Sequence, residues 1–132
     1  MSSSYFGKLQ ALTAGTLDPV EFRHLEHIGV AYEALSRHDF FEAASCLAAG
    51  IRGLAEKAGA PDKFNATITF AYLSLIAERM RVTEHRDAED FIQRNPDITG
   101  PGALAPWYSK QRLTSDIARS TVLLPDPSPE TG

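Results

Sequence analysis

Apolar residues recur at helical spacing along most of the chain. Phe22, Leu25, Ile28, Ala31 and Leu35 fall three or four apart, with Tyr32 four beyond Ile28. They follow Asp18-Pro19, a pair that suits a helix start: an N-cap oxygen, then a proline in the first turn. The pattern predicts a first main helix running to about Arg37. Asp39, with Glu42 three residues later, makes a capping-box pattern ahead of a second apolar face that includes Phe40, Phe41, Ala44, Leu47, Ile51 and Leu54. Gly59 and Pro61 close that helix and restart the chain. A third helix is predicted over about Asp62 to Val82. It is apolar on most of its circumference (Phe64, Ile68, Phe70, Leu73, Leu75, Ile76, Met80), the mark of a central helix packed on several sides.

The flanks are weaker. Tyr5-Phe6 and Leu9 to Leu12 suit a docking turn or short helix, and Ala88 to Gln93 a fourth helix ending before Asn95-Pro96. Ile98 to Pro106 reads as a loop. Trp107 to about Ser120 reads as a short helix, or two turns broken near Thr114-Ser115. No segment shows the alternation or hairpin turns of a sheet. The expected fold is therefore all-α: a compact antiparallel bundle of about four to five helices. Residues 1–124 are expected to form one domain, and the Pro-rich stretch 125–132 an exposed, flexible tail. The pairing of the first two main helices looks like one tetratricopeptide-type hairpin, but no second copy follows, so a solenoid is not expected.

Composition narrows the function classes. The 132 residues are 43% hydrophobic and 23% charged, ordinary globular values. Thirteen basic against seventeen acidic residues give a net charge of -4, without the basic footprint of a nucleic-acid binder. No apolar run reaches the roughly 18 residues of a membrane span. Met1 to Tyr5 lacks the basic and apolar segments of a signal peptide, so a cytoplasmic location is expected and the Asn65-Ala66-Thr67 sequon carries no weight. The single cysteine, Cys46, sits among small apolar residues and reads as core packing.

Candidate chemistry lies in polar residues on faces that packing should bury. At about 100° per residue, Glu21 and His24 share the side of Ile28, Ala31, Tyr32 and Leu35, with His27 at its edge. Glu21-x-x-His24-x-x-His27 thus projects a carboxylate and two imidazoles along one flank. A ferritin-like di-metal site needs a second Glu-x-x-His, which is lacking. On the third helix Asn65, Thr69, Tyr72 and Ile76 form a line with Arg79 nearby, able to wall an apolar pocket with a few polar groups. Lys63 and Glu78 fall nearer the solvated flank. Hydrogen-bonded structure alone also accounts for both stripes. His38 and His85 are expected to be exposed, and Trp107-Tyr108 to form a lid on the core.

Several segments resemble a family of small bacterial all-helical proteins with no assigned activity. They are Phe22-Arg23-His24-Leu25-Glu26-His27-Ile28, Lys63 to Thr69, Leu75 to Met80, and Tyr108-Ser109 through Leu113-x-Ser115, Ala118-Arg119 and Pro125-Asp126. The resemblance covers most of Phe22 to Asp126. Members often carry a histidine where this chain has Asn65, a departure that weakens any shared metal or acid–base role.

The leading expectation is a pocket between the first and third main helices that binds a small molecule and acts on it. His24 and His27 would be the catalytic candidates, with Glu21, Asn65, Thr69, Tyr72 and Arg79 holding the ligand. It requires His24 to be shielded from solvent and within about 10 Å, two helix turns, of Tyr72. The alternative is a non-catalytic interaction module or homodimer using the Phe40-Phe41 edge and the flexible tail. A third reading is metal dependence through His24 and His27. The sequence names neither a cofactor nor a metal, and it points to no nucleic-acid or membrane partner.

Overall fold

The computed structural model describes residues 4–100 and 102–127. These form seven α-helices and no strand: α1 (Ser4–Ala14), α2 (His24–Arg37), α3 (Phe40–Lys57), α4 (Ala66–Val82), α5 (Ala88–Arg94), α6 (Lys110–Leu113) and α7 (Asp116–Ser120). The fold is all-α, as the periodicity predicts. No helix among the described residues is long and apolar enough to cross a membrane.

The Asp39–Glu42 box forms as expected: the Glu42 amide donates to Asp39 Oδ1 at 2.8 Å, and the Asp39 amide to Glu42 Oε1 at 3.3 Å. Gly59, just past the end of α3, has the positive φ (74°) that favours glycine there. Two other helix starts differ from expectation. Asp18 caps only a 3-10 turn, Pro19–Glu21, and the chain breaks before α2 begins at His24. The break turns Phe22 into the core, and Glu26 supports the new start by accepting from the Arg23 amide at 2.8 Å. Pro61–Lys63 is likewise a separate 3-10 turn, and α4 starts after Asn65.

The central helix is α2 rather than the more apolar α4. Seven consecutive residues of α2, Ile28 to Ala34, are buried, with α1, α3, α4 and α5 packed around them. Small residues make this possible. A Cβ on Gly29 would sit 2.3 Å from Cδ1 of the Tyr5 ring, so α1 approaches α2 closely only because glycine stands there. Ile28, Val30 and Ala34 share one buried core with Leu9, Leu47, Ile76 and Phe91. Each large side chain so buried contributes about 1.5–3 kcal/mol relative to exposure. Buried Glu33 is paired with Arg37. α4 meanwhile leaves Ile68 and Val82 exposed.

After α7 the chain returns across α4. Thr67 Oγ1 donates to the Thr121 carbonyl at 2.6 Å and accepts from the Leu123 amide at 3.0 Å; Tyr108 donates to the Leu123 carbonyl at 2.8 Å. Asp126 is tied to Trp107 through its amide and to the Ser109 amide through its carboxylate. Thus the expected tail is held as far as Asp126; residues 128–132 lie outside the described residues.

Candidate functional site

A half-open cleft of about 410 Å³ lies between α2, α3 and α4, within the range of small-molecule sites. Ala31, Leu47, Ile51, Leu73 and Ile76 make its apolar floor, and Ile68 adds an apolar side chain at the exposed edge. Its polar side chains are His24, His27, Lys63, Asn65, Thr69 and Tyr72, and no carboxylate lines it. Five of these six belong to the two predicted polar stripes, which α2 and α4 bring together.

His24 is the first residue of α2. Its Nε2 lies 3.0 Å from the Tyr72 hydroxyl, and the rings meet edge-on with centroids 5.4 Å apart. The same hydroxyl makes a short hydrogen bond to the Ile98 carbonyl, which can only accept. Tyr72 therefore donates to Ile98 and accepts from His24, so Nε2 carries the His24 proton. Nδ1 has no hydrogen-bond partner among the described residues. Burial, with the negative charge of Asp97 second, pushes the Tyr72 hydroxyl up to about 12.

His27 stands one turn further on, its ring tilted against Phe22 with centroids 4.0 Å apart. Loss of hydration is the first cause, and His24 the second, that lower its pKa to about 4; Glu26 acts in the opposite direction. The ring is exposed, but it borders the cleft, where protein walls replace part of the surrounding water. Near neutral pH it is an uncharged imidazole.

Asn65 is largely committed to structure. Its Oδ1 caps α4 by accepting from the Ile68 amide at 2.9 Å, and its Nδ2 donates to the Leu113 carbonyl at 2.7 Å. One N–H remains for a ligand. By contrast, the side chains of half-buried Thr69 and exposed Lys63 have no hydrogen-bond or ion-pair partner among the described residues.

Three expectations are corrected. Glu21 belongs to the 3-10 turn, not to α2, so the Glu21–His24–His27 flank is broken and Glu21 does not line the cleft. Arg79 is also outside it: its guanidinium clamps Asp97 and the Asn95 side chain at 2.9 and 3.0 Å through Nη1, fixing the turn that carries the Ile98 carbonyl. His24 meets the distance condition but not the shielding one, because it is exposed at the rim, so the leading expectation, in which His24 acts on a small molecule held in the pocket, fails its own condition. Elsewhere, His85 is half-buried rather than exposed, bonded to the Tyr32 hydroxyl at 2.7 Å and the Met80 carbonyl at 3.0 Å. Tyr108 is buried as expected of a lid, whereas Trp107 is not.

Lys63, Leu47 and Ile51 were not foreseen as cleft residues. Periodicity from Asp62 puts Lys63 on a solvated helix flank, but the residue lies in the 3-10 turn ahead of the α4 cap, where helical periodicity does not hold. Leu47 and Ile51 read as core because the α3 stripe does not reveal where packing stops. Among the described residues, no three or more His, Cys, Asp or Glu side chains gather to hold a metal ion. Compared with protein-family models, curated proteins and solved structures, the chain matches none.

Proposed function

We propose that this is a small-molecule-binding helical protein whose ligand occupies the cleft between α2, α3 and α4. The observation that carries the reading is an apolar floor rimmed by polar groups that lack protein partners: Thr69, Lys63 and Nδ1 of His24. Polar groups in a concave site gain most from a ligand that supplies the missing hydrogen bonds. The reading is confined to binding. Acid–base catalysis gains from a base enclosed away from water, and His24 at the open rim is poorly placed for it. A ligand-observed NMR screen of metabolites against wild type and Thr69→Phe, which fills the cleft, tests the reading. Compounds that bind only wild type support it; compounds that bind both equally, or no binder in a broad library, overturn it.

A second reading, an interaction or self-association surface, is favoured by one feature. Phe41 is 76% exposed and stacks edge-on with Phe40, which stacks in turn on Phe70. Sedimentation velocity would show a dimer that Phe41→Ser dissociates if this edge self-associates; a monomer at all concentrations rules self-association out.

A further inference from the structure

Resting on the small-molecule reading above, we propose that the cleft selects a carboxylic acid with an apolar body, its carboxylate beside Lys63 and Thr69 and its body on the Leu47–Ile51–Ile76 floor. Charge composition is the first argument. In a chain of net charge -4, the cleft is lined by one ammonium and two imidazoles and by no carboxylate. An anion therefore enters without meeting a like charge in the wall, whereas an amine meets Lys63 and finds no counter-ion there.

The unused hydrogen-bonding capacity points the same way. The Lys63 ammonium, the Thr69 hydroxyl and the remaining Asn65 N–H can all donate, and none of these hydrogens is committed within the described residues. A carboxylate accepts without donating, so it matches these three donors, while the remaining ring nitrogens of His24 and His27, both exposed, are left to water. Tyr72 is excluded from this set, since its proton is committed to Ile98. The floor supplies the other half of the specificity: five apolar side chains offer nothing to a polar body, so a small hydrophilic acid would leave them wet.

The test compares decanoate, decan-1-ol and decylammonium, all below micelle-forming concentrations, by 1H–15N chemical-shift titration of the full chain. One apolar body with three head groups isolates the charge. Decanoate is expected to bind tightest and decylammonium weakest, with shifts centred on His27, Thr69 and Ile76. Lys63→Met, which keeps the side-chain stem, should weaken decanoate by roughly fivefold and leave decan-1-ol unchanged; its melting point serves as the folding control. Decan-1-ol binding as tightly as decanoate, or a decanoate preference intact in Lys63→Met, overturns the acid proposal while leaving the cleft reading in place. If none of the three perturbs the cleft amides, the acid proposal falls, and binding of other compounds in the metabolite screen decides the broader reading separately.

Discussion

Tyr72 fixes which nitrogen of His24 donates to it: its hydroxyl, engaged with the Ile98 carbonyl, can only accept from Nε2, 3.0 Å away. Tyr72→Phe removes both bonds and leaves the Ile98 carbonyl without its donor. A loss of about 1 kcal/mol in stability is expected. The His24 ring should then relax from one tautomer to a mixture, visible in long-range 1H–15N spectra. An unchanged tautomer in the variant would contradict the assignment.

Arg79 acts one step further back. Its fork holds Asp97 and satisfies the side-chain oxygen of Asn95, a residue only 1% exposed. Arg79→Ala orphans that buried oxygen and should lower stability by about 2 kcal/mol. Arg79→Lys, which lacks the planar fork, should recover little of it. A variant of undiminished stability that no longer binds cleft ligands would instead put Arg79 in the site.

His27 sets a pH dependence. The unfolded chain takes up this proton near pH 6.5, the folded chain only near 4. Between those values the unfolded state holds the extra proton, so the contribution to stability is complete above pH 6.5 and is lost as pH falls toward 4. The melting temperature should decline across that window, and less steeply in His27→Gln. Equal slopes in both proteins would contradict a depressed His27.

Two glycines on neighbouring helices should respond with opposite signs. Gly29→Ala drives a methyl onto Cγ and Cδ1 of the Tyr5 ring and forces the α1–α2 contact to shift, at a cost of about 1–3 kcal/mol. Gly53 on α3 has nothing within 4 Å of a new Cβ, so Gly53→Ala should stabilise by about 0.5–1 kcal/mol through helix propensity. Thermal denaturation of the pair checks both the α1–α2 contact and the open side of α3.

What could be read from the sequence was set by how local its cause is. The Asp39–Glu42 box and the break at Thr114-Ser115 are decided within a few residues, and both were legible. The start of α2 was not. Asp18-Pro19 is a sound cap signal, yet burial of Phe22 imposes a break that no local rule contains. That break is why Glu21 left the predicted flank while His24 and His27 kept to it. Asn65 was placed at the cleft, but its role as the α4 cap was missed; an Asn just ahead of a periodic apolar run is itself a start signal. The centrality of α2 was hidden because Gly29, Ala31 and Ala34 contribute little hydrophobicity and matter through the close approach they allow.

The central claim is that the cleft between α2, α3 and α4 is the ligand site, and mapping a bound compound onto the backbone amides tests it most directly. With any hit from the metabolite screen, the largest 1H–15N shifts should fall on His24, His27, Thr69 and Ile76, and should vanish in Thr69→Phe. Shifts concentrated instead around Phe41 and Phe70, or persisting in Thr69→Phe, would contradict it.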